Sequence, residues 1–115
     1  MSVISDNIKI KPVLEDLKKR LRELFTDNLV QIIIFGSYIN GNYDKDSDLD
    51  VFVIIQNEDT AAFEDLLLDV TVDLSLRYDI VITAFLESRS NFIKYKNIKP
   101  FYSEIQNNGI DIYAA

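Results

Sequence analysis

The stretch Phe35-Gly36-Ser37-Tyr38-Ile39-Asn40-Gly41-Asn42-Tyr43-Asp44-Lys45-Asp46-Ser47-Asp48-Leu49-Asp50 decides how this chain is read. An apolar, β-branched run from Leu29 to Phe35, bounded by Asn28 and Gly36, reads as a buried strand. After ten residues that follow Ser37, Asp48-x-Asp50 opens a second strand pattern that runs to Ile55. Period-two geometry puts Asp48, Asp50, Phe52 and Ile54 on one face of that strand. Between the two strands, Gly36 to Ser47 is rich in glycine, asparagine and aspartate, the composition of a loop with one short helical turn.

These residue types point to phosphate and metal chemistry. Glycine lets a backbone approach an anion closely, and a serine hydroxyl with neighbouring amides donates hydrogen bonds to phosphate oxygens, so Gly36 and Ser37 read as a phosphate cradle. Two aspartates two residues apart in a strand have α-carbons about 6 to 7 Å apart and carboxylates on the same side, where divalent ions can bridge them. An EF-hand calcium loop is excluded. Counting from Asp44 puts Leu49 where that loop requires glycine and Ile55 where it requires glutamate; counting from Asp46 puts Val51 and Asn57 there. Asp44 and Asp46 read as solvated loop residues.

Outward from this stretch, Pro12 to Phe25 places Val13, Leu14, Leu17, Leu21, Leu24 and Phe25 at helical spacing. Thr60 to Leu76 predicts a second helix with Ala62, Phe63, Leu66, Leu67, Val70 and Leu74 inward and Glu64, Asp65 and Asp69 outward. Tyr78 to Ala84 predicts a third strand, in which Asp79 would be a charge in an apolar setting and would require a partner. Shorter helices follow over Ser88 to Tyr95 and Pro100 to Asn108, the second stopped by Gly109, and Ile110 to Tyr113 is extended. The order predicts an α/β fold, a small mixed β-sheet flanked by helices, in a single domain over residues 1–115.

Composition narrows the chemistry. The 115 residues contain neither cysteine nor histidine, which removes disulfides, thiolate nucleophiles, Ser-His-Asp triads and imidazole–thiolate zinc sites. Catalysis must then rest on carboxylates, hydroxyls, lysine or arginine, and on a hard metal bound through oxygen. Of the net charge of −7, residues 42–87 carry −10 and the remainder +3. So acidic a centre opposes nonspecific binding of nucleic acid and suits divalent cations. No apolar run approaches the ~20 residues of a membrane span, and the first residues do not read as a secretory signal; a cytoplasmic protein is the expectation.

The Gly36-Ser37 and Asp48-Leu49-Asp50 pattern, with Asp79 downstream and the tail Lys99-Pro100-Phe101-Tyr102-Ser103-Glu104-Ile105, resembles the DNA polymerase beta-like nucleotidyltransferase superfamily. The whole chain is similar to its minimal nucleotidyltransferase (MNT) branch, including MNT antitoxins. The resemblance implies a polymerase beta-like fold in which Gly36 and Ser37 hold the triphosphate of ATP. It implies that Asp48, Asp50 and Asp79 bind two magnesium ions and are the catalytic residues, Asp79 helping to deprotonate the acceptor hydroxyl. It further implies transfer of AMP to a hydroxyl of a partner protein such as a HEPN toxin, within a homo- or hetero-oligomer. The alternative is an antitoxin-type module that neutralises a partner by contact alone. One residue departs from the pattern: many relatives carry arginine where this chain has Asn40, which supplies no charge to a triphosphate. Arg89, Lys94, Lys96 and Lys99 read as the charged outer face of a helical segment, and Phe101, Tyr102 and Ile105 as core or partner contacts rather than a base-stacking platform.

Overall fold

The structure, a computed structural model, describes residues 10–40 and 48–115. Helix α1 (Ile10–Phe25) buries Ile10, Val13, Leu14, Leu17, Leu21 and Phe25, the stripe expected from its 3.6-residue period, and already includes Ile10 and Lys11 ahead of Pro12. A 3-10 turn over Thr26–Asn28 delivers the chain to β1 (Leu29–Phe35). Then come α2 (Ser37–Asn40), β2 (Leu49–Ile55), α3 (Ala61–Tyr78), β3 (Ile82–Ser88), α4 (Arg89–Tyr95), α5 (Pro100–Asn108) and β4 (Ile110–Ala114).

The four strands form one mixed sheet in the order β3-β2-β1-β4. β1 runs antiparallel to both β2 and β4, whereas β2 and β3 are parallel and are joined by α3 as their crossover. β1 and β2 are nearly continuous apolar runs because both of their faces are covered. On one face, Ile32, Ile34, Leu49, Val51, Val53, Ile55 and Ile82 pack beneath α1 and α3. On the other, Ile33, Phe52 and Ile54 meet Phe92 of α4 and Tyr102 and Ile105 of α5. The Tyr102 hydroxyl donates to Glu87 of β3, which fastens α5 to the sheet edge. Burial first, and then the Glu87 carboxylate, push the Tyr102 phenol up to about 12.

Two expectations are corrected. The third strand covers Ile82–Ser88 rather than Tyr78 to Ala84. Tyr78 still belongs to α3, where its hydroxyl donates to Asp16 at 2.8 Å. Asp79 ends the helix in the left-handed region at φ 53, ψ 49, its backbone N–H bonding the Ser75 carbonyl. Ile80 N–H also bonds that carbonyl, and Ile82 N–H bonds the Ser75 hydroxyl. Closing the unpaired carbonyls at the end of α3 thus consumes part of the apolar run that local pattern assigns to the strand. The inward stripe of α3 is also rotated: Leu67, Val70, Thr71 and Leu74 are buried, while Ala62 and Leu66 are exposed. The whole chain of this helix is apolar enough that its own sequence does not single out a face; packing against α1 and the sheet does.

Candidate active site

The site forms where β1 ends and β2 begins. Phe35 stands opposite Asp50 in the antiparallel ladder, so the turn that leaves β1 lies beside the carboxylates that open β2. Gly36 adopts φ 84, a conformation L side chains rarely take. A Cβ added there would fall 2.2 Å from Asp50 Oδ2, so the carboxylate occupies the space that only glycine leaves free. The Gly36 carbonyl then accepts from Ile39 N–H at 3.0 Å, starting α2 with Ser37 as its first residue. The ladder therefore brings Gly36 against Asp50, and Ser37 follows it as the next residue in the chain.

Asp48 is exposed and Asp50 half-buried. Burial, and then the charge of Asp48, hold the Asp50 carboxyl above its ordinary pKa. The ion pairs among the described residues lie elsewhere: Arg20–Asp73 and Arg77–Asp16 join α1 and α3, and Arg77–Asp73 lies within α3. Two carboxylates crowded without a basic neighbour among the described residues suit a hard cation. Magnesium is commonly held by one or two carboxylates together with water and substrate phosphates, so the donors present fit it.

The third carboxylate is differently placed. Asp79 is an exposed helix cap, outside β3, and among the described residues no three acidic side chains are grouped as a metal-holding set. The parallel ladder pairs Leu49 with Ile82 and Asp50 with Thr83. One residue back along both strands, Val81 flanks Asp48, its carbonyl accepting from Leu49 N–H at 2.8 Å. The Thr83 hydroxyl donates to Asp48 Oδ2 at 3.4 Å. Val81, 58% exposed, and Thr83 therefore hold the positions beside the aspartate pair that a third acid on this strand would occupy. Sequence reasoning missed both, because their relevance comes from the β2–β3 register. Residues 41–47, with Gly41, Asp44, Lys45 and Asp46, and the side chain of Asn40 lie outside the described residues.

Among the described residues no helix is long and apolar enough to cross a membrane.

Comparison with known proteins bears on the family and the fold. The nucleotidyltransferase domain family matches residues 14–110. Protein MJ0141 of Methanocaldococcus jannaschii, which bears the name of a protein adenylyltransferase, is 31% identical over 106 residues, covering 91% of this chain and all of its own. Protein adenylyltransferase MntA of Thermococcus cleftensis is 35% identical over 81 residues, covering 70% of this chain and 80% of its own. A crystal structure of a toxin–antitoxin with AMP-PNP superimposes with a TM-score of 0.60 at 19% identity, covering 89% of this chain and 73% of that one; a mutant MntA-HpeT toxin–antitoxin gives 0.59 at 17%, with the same coverage. These structural neighbours share the fold. By the match along most of its length, the chain belongs to the nucleotidyltransferase domain family and so to the transferases.

Proposed function

We propose that this protein transfers AMP from ATP to a hydroxyl of a partner protein. The observation that carries the reading is the seating of the Asp50 carboxylate against Gly36, which joins a phosphate-binding turn and an Asp-x-Asp pair in one site. Gly36 and Ser37 would receive the triphosphate, the glycine by close backbone approach and the serine by its hydroxyl. Asp48 and Asp50 would hold magnesium, two ions in the expected arrangement. The metal, when bound, would neutralise charge on the transferred and leaving phosphates. Thr83, by donating to Asp48, would keep one carboxylate oriented toward that role. Rate acceleration would come from positioning and charge neutralisation. The names of the relatives support adenylyl transfer to protein, and the toxin–antitoxin neighbours support a toxin, of the HEPN type by the family resemblance, as the acceptor.

The test is incubation of the purified protein with α-labelled ATP, magnesium and the product of the adjoining gene, followed by gel and mass analysis of the partner. Label on a partner hydroxyl, lost in Asp48→Asn and Asp50→Asn, is the expected result. No label transfer by folded protein would overturn the reading.

A second reading, a contact-only antitoxin, is favoured by one feature: Val81 and Thr83 rather than an acid flank the aspartate pair. Under it, Asp48→Asn and Asp50→Asn still neutralise the partner.

A further inference from the structure

The sheet face that carries Asp50 is aromatic, and its rings differ in exposure. Phe52 and Phe92 are 1% and 8% exposed, whereas Phe85, level with Phe52 on the edge strand β3, and Phe101 are 39% and 42% exposed. Phe35 is level with Asp50 on β1, and Phe85 lies two residues beyond Thr83 on β3, on the same face. β2 runs between these strands, so their backbones are two strand spacings apart, about 9.5 Å. Their rings nonetheless lean together to 5.9 Å between centroids. Phe101 of α5 closes on both, at 5.6 Å from Phe35 and 5.3 Å from Phe85, edge-on to each.

Exposed phenylalanines scattered singly are ordinary. Three in mutual contact beside a carboxylate pair are an apolar wall to a polar site, the make-up of a small-molecule pocket. Phe35 also directly precedes Gly36, so the wall adjoins the turn assigned to the phosphates.

We propose that Phe35, Phe85 and Phe101 form the surface on which the base of the nucleotide stacks. The inference rests on the nucleotidyl-transfer reading and deepens it by assigning the nucleoside end of the substrate. It gives Phe101 a different role from the core or partner contact expected of it: Ile105 is core and Tyr102 half-buried against it, whereas the Phe101 ring is 42% exposed. Stacking reads flatness rather than base edges, so the wall accepts any nucleobase.

Binding titrations with magnesium-ATP and with magnesium-tripolyphosphate, which has the phosphates but no base, separate the wall from the phosphate cradle. Phe85→Leu and Phe101→Leu keep apolar volume and remove the π-face. They are expected to weaken ATP binding roughly tenfold, within the range of base–aromatic stacking, and to leave tripolyphosphate binding unchanged. Phe101→Trp is expected to retain ATP binding, and circular dichroism verifies that each variant is folded. Unchanged ATP affinity in the leucine variants, with or without slower transfer to an acceptor, overturns the proposal. So does parallel loss of both ligands. Wild-type protein that binds neither ligand overturns the nucleotidyl-transfer reading beneath it.

Discussion

Gly36 and Asp50 constrain each other at the scale of single atoms. Alanine at 36 would have to take φ 84 and would drive its Cβ into the Asp50 carboxylate. Strain and overpacking together make Gly36→Ala cost about 1–3 kcal/mol in urea unfolding, with loss of ATP binding. Asp50 carries a different tension. Its folded pKa is raised by burial and by Asp48, so its contribution to stability is full below the unfolded value of 3.8 and is lost as pH rises through the raised folded value. Ionised Asp50 thus counts against the metal-free fold at neutral pH. Asp50→Asn should raise the metal-free Tm at pH 7, with the gain fading on acidification, while abolishing transfer; an unchanged or lower Tm would contradict the crowded-carboxylate account.

At the scale of elements, the junction of α3 and β3 decides what the third acid can do. Asp79 was legible as a charge that needed explanation, but its neighbours Ile80, Val81 and Ile82 gave it the look of a strand residue. What the pattern could not reveal is that α3 runs on to Tyr78 and that Asp79 then closes it in the left-handed region. Aspartate tolerates that region at some cost and glycine at none, so Asp79→Gly should gain about 1 kcal/mol of stability and keep transfer activity. Loss of activity in that variant would return Asp79 to the site. The register makes the converse prediction at Val81. Val81→Asp puts a carboxylate beside Asp48, lowers metal-free stability by like-charge repulsion, and should tighten magnesium binding on the order of tenfold in a calorimetric titration.

For the whole molecule, charge and core play unequal parts. Arg20–Asp73 at 2.6 Å and Arg77–Asp16 at 3.3 Å pin α1 to α3, yet all four side chains retain solvent contact, so water and salt screen both pairs. The fully buried Leu17, Leu21 and Leu74 between the same two helices hold them more firmly. The hydrogen bond from Arg20 keeps the Asp73 carboxyl below its ordinary range. Its stabilising effect is therefore present above 3.8 and lost as pH falls through the depressed folded value. Asp73→Asn should lower Tm slightly at pH 7 and not at all in strong acid, and the pH 7 difference should shrink in high salt.

Read alone, the sequence determined the elements whose signal is local. The apolar runs of β1 and β2, the stripe of α1, the proline and glycine that bound α5, and the spacing from Gly36-Ser37 to Asp48-x-Asp50 all express themselves within a few residues. Tertiary structure alone decided which strand lies beside Asp50, and in what register. That choice set Val81 and Thr83 beside Asp48 and Asp50 and drew Phe35, Phe85 and Phe101 together on the same face. The physical reason is that strand pairing and helix docking are set by long-range burial: a side chain's partners across a sheet depend on where distant segments dock, and no periodicity along one segment records it.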